Sequence, residues 1–158
     1  MAEETRYTEQ EFHKRMATGL FNAVWDLLDK GEQRTPAEDD KMLHAAHASR
    51  YHWGEIGTPL HFERGEWQIS RVYVVLNRPE PALFHARKCL EICQANDIGD
   101  FDIAFAYEAL ARAYATAGNS AECEKYVELA KRAGDQIQEE DNKNYFHSEL
   151  STILCGAN

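Results

Sequence analysis

The sequence has little of what membrane-bound or nucleic-acid-binding proteins need. It holds 17 lysine and arginine residues against 27 aspartate and glutamate residues, and its formal net charge is -10. An acidic surface of this kind repels nucleic-acid phosphates and anionic lipids. None of the apolar runs approaches the ~20 residues that a membrane-spanning helix needs. We therefore expect neither a nucleic acid nor a membrane among the partners of this protein.

Secretion signals and cysteine-rich patterns are lacking as well. Residues 1–4 have neither the basic region nor the apolar stretch of a signal peptide, so we expect a cytoplasmic protein. The four cysteines occupy apolar or small-residue positions of predicted helices, which favours reduced thiols over a disulfide framework. They are Cys89, Cys93, Cys123 and Cys155. The pair Cys89 and Cys93 is interpreted as two small core residues, because a two-thiolate metal site would lack its remaining ligands.

Only four prolines and nine glycines occur, and they separate segments with helical periodicity. Thr8 and Glu11 have the spacing of a capping box, and Pro36 and Pro59 each follow a threonine where a helix begins. No run of alternating apolar and polar residues is long enough to indicate a strand. The sequence therefore predicts an all-α protein with about seven helices. We place them at about 9–30, 36–53, 59–76, 81–95, 101–117, 119–137 and 142–154.

Residues 104–137 carry two large aromatic residues, Tyr107 and Tyr114, on one predicted helix, and Gly118 stands at the turn that follows. In this pattern the segment resembles a tetratricopeptide repeat. Small residues would let the two antiparallel helices approach closely, and these are Ala111, Cys123 and Ala130. A weaker copy of the pattern covers residues 63–96.

This resemblance implies both a fold and a function. The fold would be one tetratricopeptide-like helical domain over residues 1–158, a short right-handed solenoid of stacked antiparallel hairpins. The hairpins would span about 9–53, 59–95 and 101–137, with helix 142–154 as a C-terminal cap. The function would be that of a non-enzymatic interaction module, which holds a peptide or a partner protein in a concave groove.

The groove of such a stack is lined by the first helix of each hairpin. Carried over to this chain, the resemblance implies that this face includes Arg64, Trp67, Arg71, Phe105, Glu108 and Arg112. All of these except Phe105 are the predicted binding residues. The arginines could clamp a carboxylate or phosphate bidentately, and Trp67 could anchor a side chain. In the alternative interpretation, Arg71 and Arg112 form salt bridges with Glu66 and Glu108. Both interpretations stay open at this point.

The central block, residues 41–90, suggests a second class of function. It holds seven basic and four acidic residues, a net charge of +3, and five of the seven histidines of the chain. Such a concentration within an acidic chain suits a site for a small anionic ligand or a catalytic site. The alternative is that these basic residues neutralise the acidic flanks of the chain across a compact fold.

The histidines of the second predicted helix form the sharpest local pattern in this block. His44, His47 and Glu55 lie on one stripe of the helix, and two histidines three residues apart can share a metal ion. The spacing matches no established zinc motif. We therefore predict no metal, no other cofactor and no catalytic residue. His44, His47 and His52 remain candidates for ligand binding or for structural hydrogen bonds.

The first predicted helix, 9–30, carries more apolar surface than one neighbouring helix can cover. Phe12 and Trp25 are the residues that we expect to face a second copy of the chain. A homodimer through this helix is therefore a further expectation.

Overall fold

The computed structural model describes residues 2–156, and this part of the chain contains seven α-helices and no strand. The helices are α1 (Glu9–Asp29), α2 (Pro36–Ile56), α3 (Pro59–Val75), α4 (Pro79–Ala95), α5 (Asp100–Thr116), α6 (Ser120–Asp135) and α7 (Glu140–Leu150). The all-α prediction is thus confirmed for the described residues. None of these helices combines the length and the apolar character needed to cross a membrane.

The helix starts lie close to their predicted positions because capping depends on neighbouring residues. At α1, Thr8 Oγ1 accepts a hydrogen bond from the Glu11 backbone N–H at 3.1 Å. The Glu11 carboxylate accepts one in return from the Thr8 N–H at 2.8 Å, and the same box opens α2. α4 begins at Pro79, two residues earlier than predicted, since a proline fits the first turn of a helix. α7 ends at Leu150, four residues earlier than predicted.

Consecutive helices pack against each other, and α5 contacts α3, α4, α6 and α7. The three small residues that were expected to let helices approach are fully buried, namely Ala111, Cys123 and Ala130. Because alanine-sized side chains add little bulk, the α5 and α6 backbones can lie close together at these points. The prediction that these three positions are interior contacts is therefore confirmed.

A row of aromatic side chains joins the odd-numbered helices. Trp25 of α1 stacks on Trp67 of α3 with the ring centroids 5.6 Å apart. Trp67 meets Phe105 of α5 edge to face at 5.8 Å, and Phe105 meets Phe146 of α7 in the same way at 4.9 Å. The row therefore runs from α1 through α3 and α5 to α7.

Two of the four cysteines form a disulfide, so the expectation of four reduced thiols is wrong. After α7 the chain turns back to the start of α6, where Cys155 bonds to Cys123 across a Cα–Cα distance of 5.7 Å. These residues are 32 positions apart, and helical periodicity carries no information about that proximity. Cys89 and Cys93 are free and buried. The expected cytoplasmic location loses the support of fully reduced thiols, because disulfides persist mainly in oxidising compartments.

The packing of α6 on α7 depends on the absence of a side chain at Gly134. A Cβ atom there would lie 2.5 Å from Cδ1 of Phe146, which is itself fully buried. We expect Gly134→Ala to lower the free energy of unfolding by about 1–3 kcal/mol, because Phe146 must move within a close-packed core. Urea unfolding followed by circular dichroism measures this change.

Gly19 of α1 provides the matched control, since no atom lies within 4 Å of its added Cβ. Gly19→Ala should raise the free energy of unfolding by about 0.5–1 kcal/mol through helix propensity alone. Equal effects of the two substitutions would contradict the packing argument.

Candidate functional site

A cavity of about 230 Å³ opens beside the aromatic row, between α1, α3, α5 and α7. Its walls are mostly aromatic, and its polar groups come from α3 and α5. The aromatic residues are Phe21, Trp25, Trp67, Phe101, Phe105 and Tyr145, and the polar ones are Glu63, Arg64 and Asp102. Of these nine residues, the sequence analysis had placed Arg64, Trp67 and Phe105 on the expected binding face.

Arg64 stands at the rim of the cavity and is already paired. Its Nε and Nη2 atoms donate to the two carboxylate oxygens of Asp102 at 2.8 and 3.0 Å. Burial alone would raise the pKa of Asp102, but the hydrogen bonds from Arg64 hold that pKa below its ordinary value. The bidentate geometry that suits recognition of a ligand carboxylate is thus occupied by a residue of the same chain.

Glu63 forms part of the cavity wall although it is only 1% exposed. Burial raises its pKa to about 10, and the hydrogen bond and charge of Asp102 act in the same direction. Its Oε2 accepts a hydrogen bond from Cys89 Sγ at 3.4 Å, while its Oε1 has no partner among the described residues. The sequence analysis did not select Glu63, but its position four residues before Trp67 places both on one helix face.

Trp67 lines the cavity and also packs against the buried core between α3, α4 and α5. Its ring packs between Trp25 and Phe105, and the Arg71 guanidinium lies over it at 5.1 Å from the ring centroid. Its Nε1 is buried and has no hydrogen-bond partner within residues 2–156. Trp67 therefore lines the cavity, but most of its surface serves intramolecular packing.

Arg71 and Arg112 share one buried carboxylate. Glu108 is 0% exposed, and its Oε1 accepts from Arg112 Nε at 2.6 Å and from Arg71 Nη2 at 3.2 Å. Arg112 also donates to the Glu149 carbonyl oxygen at 3.1 Å and to Thr152 Oγ1 at 2.9 Å. These contacts are salt bridges and hydrogen bonds of the kind that the alternative interpretation expected. Both guanidinium groups are therefore engaged within the chain.

Glu66 is not the partner of Arg71. Its carboxylate contacts Arg50 Nε of α2 at 3.2 Å and His85 Nδ1 of α4 at 2.5 Å. Burial would raise the pKa of Glu66, but the hydrogen bond and charge of His85, together with Arg50, hold it below its ordinary value. The carboxylate of Glu66 therefore links α3 to α2 and α4, whereas Arg71 pairs with Glu108 of α5.

The three candidate histidines lie in different surroundings. His44 is exposed, His47 Nε2 is 3.0 Å from the Tyr73 hydroxyl, and His52 Nδ1 is 2.8 Å from Nδ1 of His13. In the described part of the chain, the ligand atoms of His44, His47 and Glu55 do not all lie within 4.8 Å of one another. The stripe on α2 therefore brings no metal site together.

The two residues expected at a dimer contact differ in their surroundings. Trp25 faces inward and forms part of the cavity wall. Phe12 is 47% exposed and packs its edge against the rings of His13 and His52. Of these two residues, only Phe12 lies on the surface, where a dimer contact through α1 would need it.

Comparison with known proteins gives no significant match to a family model, a curated protein or a solved structure. The functional assignment therefore depends on the geometry of the cavity and on the charges around it. Its aromatic walls are accessible, whereas the arginines beside it already have carboxylate partners.

The shared carboxylate of Glu108 should be essential for stability. Glu108→Gln removes the counter-charge of two mostly buried arginines, so we expect the free energy of unfolding to fall by roughly 3 kcal/mol. Glu128→Gln is the matched control, because Glu128 pairs with Arg132 at 3.2 Å on the exposed surface of α6. That change should cost less than about 0.5 kcal/mol. Similar unfolding midpoints for the two variants in urea would contradict the assigned role of Glu108.

His47 should make stability depend on pH near neutrality. Burial against neighbouring rings lowers the pKa of His47, and the charges of His85 and His44 lower it further, while Glu66 acts in the opposite direction. A base with a lowered folded-state pKa contributes stability above its unfolded pKa of about 6.5, and this contribution is lost as the pH falls. The stability advantage of the parent protein over His47→Gln should therefore shrink between about pH 7.5 and about pH 5.

Urea unfolding of both proteins across this pH range measures the difference. Subtracting one curve from the other cancels the groups that both proteins share. Parallel curves, or an advantage that grows as the pH falls, would show that the environment of His47 does not disfavour its charged form.

Proposed function

We propose that this protein is a non-enzymatic interaction module that binds a peptide segment of a partner protein. The observation that carries the proposal is the open, aromatic-walled cavity between α1, α3, α5 and α7. In a tetratricopeptide-like stack these would be the first helices of three hairpins and the terminal cap, and they would line the concave face. The binding site is therefore expected on the face where such stacks hold their ligands.

The arrangement of the helices supports this proposal at the level of the fold. α1 packs on α2, α3 on α4, and α5 on α6, while α3 also contacts α5 and α5 contacts α7. Contacts between neighbouring hairpins through their first helices are typical of a helical solenoid. We accordingly propose that the described residues, 2–156, form one short right-handed solenoid, with α7 covering its end.

The chemistry of the cavity favours a large apolar side chain as the anchor of the peptide. Six aromatic residues line it, and burial of one such side chain is worth about 1.5–3 kcal/mol. A carboxylate anchor is less suitable, because Arg64 is bound by Asp102 and Arg71 by Glu108. The groups available for recognition are thus the rings rather than the guanidinium groups.

The surroundings of the cavity favour basic residues beside the anchor. An adjoining cavity of about 250 Å³ shares Trp25, Trp67 and Tyr145 with the first. Two carboxylates, Asp29 and Glu149, and one guanidinium group, that of Arg71 at 3.7 Å from Glu149, also line it. The chain as a whole carries a net charge of -10. A peptide with lysine or arginine next to its apolar anchor therefore has the complementary charge.

A phage-displayed random peptide library selected on the whole protein tests this proposal. Tyr145→Ala removes a ring from both cavities, and Phe84→Ala is the matched control on α4, outside either cavity. The two side chains are almost equally exposed, at 51% and 53%, so their loss should affect folding similarly. Selected peptides should bind the parent and Phe84→Ala alike and bind Tyr145→Ala about tenfold or more weakly.

Intrinsic fluorescence provides a second measurement, because Trp25 and Trp67 lie in the cavity wall. Binding of a selected peptide should change their emission in the parent protein. Failure to enrich any peptide, or equal affinity of the selected peptides for the parent and for Tyr145→Ala, would rule out the aromatic cavity as the binding site.

A further inference from the structure

Two buried thiols and a buried carboxylate converge between α3 and α4. Cys89 and Cys93 lie one helical turn apart on α4, and Glu63 of α3 faces them, with its Oε2 3.4 Å from Cys89 Sγ. The three potential ligand atoms all lie within 4.8 Å of one another. Among residues 2–156 this is the one group of three histidine, cysteine or acidic residues that meets this distance.

One oxygen of the carboxyl group in this cluster accepts no hydrogen bond. Glu63 and Cys93 are each 1% exposed and Cys89 is 0% exposed, so bulk water does not solvate these groups. Glu63 Oε1 accepts no hydrogen bond within the described chain, and the nearest guanidinium nitrogen, Arg64 Nε, is 3.8 Å away and bound to Asp102. A buried oxygen without a partner is costly, and a bound cation would remove that cost.

The donor set selects the kind of cation. Two thiolates and one carboxylate suit a thiophilic divalent ion, above all Zn²⁺, rather than Mg²⁺ or Ca²⁺. Tetrahedral zinc with ligands at about 2.0–2.3 Å places those ligands roughly 3.3–3.8 Å apart. The observed separation of 3.4 Å between Cys89 Sγ and Glu63 Oε2 already falls in this range.

We propose that Glu63, Cys89 and Cys93 form a Zn²⁺ site. Both thiols and the Glu63 carboxyl group give up their protons to solvent when the metal binds, because thiolate and carboxylate ligands must be deprotonated. Because Glu63 also lines the cavity between the odd-numbered helices, the fourth ligand would come from the cavity side. Three protein ligands with one remaining position are the arrangement of zinc sites that accept a water molecule or another exogenous ligand.

Titration of the reduced, metal-free protein with Co²⁺ tests this site directly. The parent protein should bind one equivalent and show thiolate-to-cobalt charge transfer in the near ultraviolet, together with the visible bands of tetrahedral Co²⁺. Addition of Zn²⁺ should abolish both signals, since it binds such sites more tightly. Cys89→Ala and Cys93→Ala should each reduce the charge-transfer intensity by about half or more. Glu63→Gln should weaken Co²⁺ binding at least about tenfold, since even outer-shell partners of a metal are worth 10–100-fold.

The other two cysteines offer the matched control. The double variant Cys123→Ser, Cys155→Ser removes the disulfide pair and leaves the cluster intact, so it should give the parent spectrum. Circular dichroism establishes whether each variant is folded. If a cysteine variant is unfolded, Glu63→Gln replaces it in the test, because this change keeps both sulfurs and the shape of the side chain. Absence of charge transfer in the folded, reduced parent protein would overturn the proposal. So would a spectrum that survives in Cys89→Ala and Cys93→Ala, or one that is lost in the double serine variant.

Discussion

Three glutamates of α3 and α5 are buried. The hydrogen bonds and ion pairs that compensate for the burial of their carboxyl groups link the helices around them. Glu66 is bound by groups from α2 and α4, and Glu108 by arginines of α3 and α5. Glu63 contacts a thiol of α4. A buried charge without a partner destabilises a protein by several kcal/mol. The helices can therefore shift little relative to one another without exposing or isolating one of these groups.

The same constraint determines the character of the accessible surface between the odd-numbered helices. Arg64, Arg71 and Arg112 could in isolation bind anions, but each is engaged by a carboxylate of the chain. The accessible groups that remain in the cavity are largely aromatic. A cavity whose charged groups are paired within the chain and whose accessible groups are aromatic rings is suited to an apolar anchor. This is why the proposed ligand differs from the anionic peptide that the arginines by themselves would indicate.

Sequence reasoning was most successful where the signal is local. Thr8 with Glu11 and proline at the start of α2 and α3 marked helix starts correctly, because a cap acts within one helical turn. The resemblance of residues 104–137 to a tetratricopeptide repeat also led to the correct prediction that Ala111 and Ala130 are buried. Glu63 was missed for the opposite reason. An acidic residue on an amphipathic helix is ordinarily exposed, and nothing near it in the chain indicates the thiols of α4 that it meets.

Helix content, helix boundaries and the apolar face of each helix follow from neighbouring residues, since backbone capping and side-chain periodicity extend over only a few positions. Which side chains contact each other in the folded chain does not follow from neighbouring residues. Arg71 meets Glu108 across 37 positions, Arg64 meets Asp102 across 38, and Cys123 meets Cys155 across 32. Whether an arginine is free for a ligand or a thiol faces another sulfur depends on atoms within a few ångströms. That proximity arises only when the packed core has set the angle and register of every helix.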